Sequence, residues 1–261
     1  MNPISAILQK EWADLRQDKM ILLGTVIPSA VLTAVPLMGA WAASRFSDGE
    51  APSAAKEFPH LANAGLSRIE LGQALIGQQA VILFLMLPLI IPSVIASYSI
   101  VGEKTRRTLE PILATPVRSW ELLLGKFLAA LIPSLILSWV AAAVYTVGMI
   151  RLVVSPKALL FIINETWLLV VLLCGPLLAL LAIALMVAVS ARVSDPRTAQ
   201  QLSGFLIMPL VGLIIGQLSG KVVLGNGFVL AIAACLAVLA AFSTWFALRL
   251  FDREIMLTRW R

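Results

Sequence analysis

GEKTRRTLEPILATPVRSWE, residues 102–121, is a polar island between two of the longest apolar runs of a 261-residue chain. So many charges between two apolar runs need water, or a partner surface, where they emerge. The flanking runs therefore read as two membrane spans, Leu75–Ser99 and Leu122–Ile150, with the island at their turn. Composition extends this reading to the whole chain. It is 60% hydrophobic and 13% charged, with a mean hydropathy of +0.94, whereas a soluble domain is about a quarter charged.

A spanning helix needs about 20 largely apolar residues. Besides the pair around the island, Met20–Ala43, Thr166–Ala191, Leu202–Leu218 and Phe228–Leu250 qualify. The expected fold is an all-α integral membrane protein of six transmembrane helices, a single membrane domain over residues 1–261. Residues 1–19 add an interfacial helix. Asn2 can cap it and Pro3 suits its first position. Ile4, Ile7, Leu8, Trp12 and Leu15 recur on one face, with Lys10, Asp14, Arg16 and Gln17 over much of the rest, which suits a helix lying along lipid headgroups. The polar stretch ahead of the first span carries Glu11, Asp14 and Asp18, so that span reads as an anchor rather than a cleaved signal.

Orientation follows from Lys and Arg. With the N-terminus inside, fourteen of the twenty fall on the inner side, including Lys104, Arg106, Arg107, Arg118 and Lys126. Both termini and the island are expected in the cytoplasm of a cell, that is plasma or inner, membrane. This distribution accounts for the net charge of +6 without a nucleic-acid partner. The arginine-rich tail Arg249–Arg261 reads as an anchor on anionic membrane lipids.

Chemistry-bearing clusters are missing from the sequence pattern. His60 is the one histidine, and with Glu57 and Glu70 it makes no metal-ligand spacing. Cys174 and Cys235 fall inside apolar runs and read as packing residues. No ionisable residue stands mid-span, unlike the relays of ion-coupled carriers. Glu165, behind Asn164, is placed either in an external vestibule or on the surface. Pro59 onward can start a helix into the second span. Pro28, Pro36, Pro88, Pro92, Pro133, Pro176 and Pro209 are kink candidates, and Gly212 with Gly216 allows a close helix approach. These readings give no catalytic, metal or cofactor site.

Within the island, Glu103–Leu113 reads as a short helix. Leu109, Ile112 and Leu113 form its apolar edge, and Lys104, Arg106, Arg107 and Glu110 its polar side. Thr115-Pro116 then starts the next helix. A solvated hairpin loop fits the same pattern. The longer stretch SYSIVGEKTRRTLEPILATPVRSWELLLGKFLAAL, Ser97–Leu131, resembles the cytoplasmic loop of ABC-2 type exporter permeases, with the sodium-exporter permease branch closest. The resemblance rests on Glu103, Thr108-Leu109-Glu110, Thr115-Pro116, Glu121 and Gly125-Lys126 in that order. It implies an ATP-driven exporter working by alternating access, built from two permease subunits and two ATPase subunits. Glu103, Lys104, Arg106, Arg107, Leu109, Glu110, Ile112 and Leu113 would form the coupling helix that docks on the ATPase. Many such permeases carry re-entrant helices before the last span, for which Ser219–Gly227 leaves little room. Gly125-Lys126 lacks the glycine and Ser/Thr of a phosphate loop, so ATP would be held by the partner chain. The alternative classes are a stand-alone channel or secondary transporter, and a membrane-embedded enzyme.

Overall fold

A computed structural model describes residues 3–45, 66–101, 119–190, 204–219 and 224–250, with positions 198, 201 and 222. The expected coupling residues 103–113, the Thr115-Pro116 start, the loop around His60 and the tail beyond Leu250 lie outside the described residues. Among those described, every regular element is helical. Five helices are long and apolar enough to cross a membrane.

Helix α1 (Pro3–Gln17) leads directly into α2 (Lys19–Ala43). Asp18 separates them, its backbone extended and its carboxylate accepting from Met20 N. Helix α3 (Arg68–Ala96) ends in a π-turn, Ser97–Val101. It starts at a capping box: Ser67 is extended and exchanges hydrogen bonds with Glu70, so no continuous helix runs into it from Pro59. Helix α4 (Ser119–Leu152) has 34 residues, roughly 51 Å at about 1.5 Å per residue. Helix α5 (Pro156–Ile162) is a short extra turn that sequence periodicity does not reveal. Helix α6 (Glu165–Leu169), a π-turn at Val170–Cys174 and helix α7 (Gly175–Ser190) follow. Helix α8 (Met208–Leu218) continues a 3-10 turn, Gly204–Ile207, and the two together fall short of a full span among the described residues. Helix α9 (Asn226–Leu250) is the last.

Helix α3 is the central post, with α2, α4, α5, α7 and α8 packed around it. In its most apolar window 83% of positions are buried, against 28% in α2 and 17% in α9. The outer helices invert the pattern of a water-soluble helix. The buried stripe of α2 is Ile21, Thr25, Ser29, Thr33, Pro36, Ala40 and Ala43, while Leu23, Val26, Ile27 and Met38 face outward. Each hydroxyl bonds a carbonyl of its own helix: Thr25 to Ile21 O, Ser29 to Thr25 O and Thr33 to Ser29 O. Small residues let backbones approach, and lipid rather than water receives the large apolar side chains. Cys174 is buried, but Cys235 is exposed on α9, so only Cys174 serves packing here.

The π-turn in the fourth apolar segment has a local cause. Gly175 N donates to Val170 O, five residues back. In the same register Val171 O would face the nitrogen of Pro176, which carries no hydrogen. The Trp139 indole of α4 supplies the missing donor, Nε1 to Val171 O at 3.3 Å. Nearby, Phe84, Tyr145 and Trp167 from α3, α4 and α6 pack as three rings with centroids 4.9 to 5.1 Å apart. Among the described residues the Gly212/Gly216 pair closes no helix contact: none lies within 4 Å of a Cβ at Gly212, and Gly216 meets Val222.

Gly77 sets the closest approach between α3 and α5. A Cβ there would lie 2.7 Å from Ile162 Cγ2 and nearer still to Cγ1. Gly77→Ala is expected to cost about 1–3 kcal/mol as overpacking, and adding Ile162→Ala should recover part of it. The check is thermal unmasking of buried Cys174 toward a maleimide dye, with Cys235 replaced by Ala.

Candidate functional site

The segment 102–118 joins the end of α3 to the start of α4, and both of its shoulders are described. They meet at a buried polar cluster to which α1 contributes the third member. Lys126 Nζ of α4 lies 2.7 Å from Glu11 Oε1 of α1, with side chains only 2% and 6% exposed. Ser99, in the π-turn that ends α3, donates its hydroxyl to Glu11 Oε2 at 2.6 Å. Lys126 also donates to Ser99 Oγ at 3.2 Å and to Ser99 O at 3.4 Å. Each carboxylate oxygen thus has a donor, and one carbonyl freed at the end of α3 has a partner.

Local sequence explains how the three converge. On α1, positions 4, 7, 8, 11 and 15 share one face at helical spacing, so Glu11 stands in the middle of the apolar stripe. That face is half-buried, chiefly against α4, and Trp12 remains exposed at its edge. On α4, Gly125 provides the clearance. A Cβ there would sit 2.8 Å from Ile7 Cγ2 and 3.1 Å from Ile7 Cβ. Gly125 therefore makes room for α1 while its neighbour Lys126 holds the charge.

The opposite end of the bundle is tied by hydrogen bonds of polar side chains. Gln73 of α3 is fully buried. Its amide donates to Ala40 O and Leu152 O, and its oxygen accepts from Val154 N, which ties together the ends of α2 and α4. Glu165 is exposed and accepts from Asn226 at 2.8 Å, while Thr166 donates to the same asparagine, pinning α6 to the start of α9. Asn164 caps α6 through Trp167 N.

Sequence reasoning placed the site on 103–113, outside the described residues, and treated Lys126 as an orienting charge. It missed Glu11, Ser99 and Gln73. The available signal was a carboxylate inside an apolar stripe, with a lysine just inside a span. Among the described residues no three His, Cys, Asp or Glu side chains group as metal ligands.

Breaking a buried ion pair from one side strands a charge and costs about 3–5 kcal/mol, whereas replacing both partners by neutral groups of similar size is often nearly free. Glu11→Gln is therefore expected to destabilise the chain by that amount. Glu11→Gln with Lys126→Met should cost clearly less, measured by the same thiol-unmasking melt. A single variant no worse than the double would show that the pair is not desolvated.

A family model described as ABC-2 family transporter protein matches residues 57–222, well over half of the chain. A comparison with curated proteins finds no match. The matched stretch holds α3, the segment 102–118, Ser99 and Lys126. With several helices apolar enough to cross a membrane, this makes the chain a multi-pass membrane component of an ABC transporter, and it belongs to the ABC-2 family of transporter proteins.

Proposed function

We propose that the chain is the permease subunit of an ABC exporter, moving substrate by alternating access driven by ATP hydrolysis on a separate cytoplasmic ATPase. The family match carries this reading. The buried cluster supports it, because both shoulders of segment 102–118 are fastened to one framework, as a segment that delivers force into the spans requires. In this reading Glu103–Leu113 docks on the ATPase. The end bearing α1 faces the cytoplasm, as do both termini, in a plasma or inner membrane. α1 lies along the headgroups with exposed Trp12 toward lipid. The apolar helix Gly204–Leu218 completes a sixth span, and two permease subunits pair. The chain itself carries no cofactor, ATP residing on the partner.

Purification of the tagged full chain from its native membranes is expected to retain an ATPase with a phosphate-loop motif, identified by peptide mass spectrometry, and Mg-ATP hydrolysis in the eluate. A chain that purifies without such a subunit, and without ATP turnover, would favour the stand-alone channel or carrier.

The docking role makes a second prediction. Proline in a helix interior costs about 3 kcal/mol. Thr108→Pro and Glu110→Lys should therefore weaken ATPase retention or uncouple its turnover from transport, while the spans remain inserted. Normal assembly and coupling in both variants would remove the coupling role from this stretch.

A further inference from the structure

We propose that Lys126 is a positioning residue for energy coupling. Through Glu11 it fastens α1 to the foot of α4, so that the two move as one lever, and Ser99 is the joint at which α3 parts from that lever. The direction of force rests on the proposed function; the fastening rests on geometry alone.

The asymmetry between the bonds carries the inference. Separating α1 from α4 would pull apart two opposite charges that are almost wholly out of solvent, 2.7 Å apart. It would also open the contact in which Ile7 sits where a Cβ of residue 125 would be. Separating α3 takes away a neutral hydroxyl from Glu11 and two longer bonds from Lys126, at 3.2 and 3.4 Å. Water at the membrane edge can replace those bonds; it does not replace a counter-charge so cheaply. The Ser99 side is also where α3 has already left regular α geometry for a π-turn, Ser97–Val101, a local irregularity often found at functional positions. A push arriving through 102–118 reaches α4 and α1 as one body and opens at the π-turn.

Hydrogen–deuterium exchange on the full chain in phosphatidylcholine nanodiscs tests both halves. In the chain alone, Glu11→Gln with Lys126→Met should raise exchange over residues 3–17 by at least about tenfold, as a local opening is made easier. Ser99→Ala should raise it over 97–101 and leave 3–17 unchanged. With the captured ATPase and a non-hydrolysable ATP analogue, wild-type exchange should change over 97–101 and not over 3–17. In the double variant that nucleotide response should fall below half with the ATPase still bound. An oxidised Ile7→Cys/Gly125→Cys bridge added to it should restore the response. The residue-125 Cβ position lies 3.1 Å from Ile7 Cβ, so a small retreat reaches the roughly 3.5–4.5 Å that a disulfide spans. Protection of α1 that survives the double variant, or loss of it on adding nucleotide to wild type, would overturn the lever. If no ATPase is retained by wild type, the exporter reading and the joint fall together, while the apo arm still decides the fastening.

Discussion

The ion pair of Glu11 and Lys126, almost wholly out of solvent, orders the base of the molecule. An exposed pair of this kind would contribute about 0–1 kcal/mol. Here both side chains are almost wholly buried, so the relevant quantity is the penalty for either charge without the other. The helix that carries Glu11 cannot drift from the foot of α4. The second carboxylate oxygen of Glu11 and the ammonium of Lys126 both also bond Ser99. The positions of α1, the end of α3 and the start of α4 are thus set by one cluster. Segment 102–118 begins and ends beside it.

The same rule acts without charge through the rest of the bundle. Where water is absent a polar group must find its partner inside the protein. Thr25, Ser29 and Thr33 turn back onto their own helix and so can form the inward stripe of α2. Gln73 spends its donor and acceptor capacity on backbone groups at the ends of two neighbouring helices. Trp139 answers the carbonyl that Pro176 cannot serve. In each case a residue that looks out of place in an apolar run sits where backbone hydrogen bonding would otherwise fail. On α2 the large aliphatic side chains are the ones turned outward.

These solutions also explain which features were legible. The all-helical membrane class was legible because apolar length is a one-dimensional signal, and the family resemblance because its motif is local. The Gly125-Lys126 pair was seen as a marker and not understood, since its meaning lies in a helix more than a hundred residues earlier. Glu11 was hidden for the same reason: periodicity places it on the apolar face but cannot say that a lysine waits there. The start of α3 was legible in Ser67-x-x-Glu70, a capping box, although attention went to Pro59. Cys235 shows the reverse error. An apolar run says that a residue is in the membrane, not that it is inside the protein.

The extent of the family match sharpens the meaning of the ion pair. The matched region, 57–222, contains Lys126 and Ser99 but not Glu11. Within that region Lys126, 2% exposed, bonds the hydroxyl and the carbonyl of Ser99, and Glu11 reaches it from outside the matched stretch. α1 is therefore not an appendage resting on a finished transporter domain. Its carboxylate pairs with Lys126 of the shared region, beside the point where α3 and α4 hand the chain to segment 102–118. Helix α1 is thereby joined, through Glu11, to the part of the sequence by which the family is known.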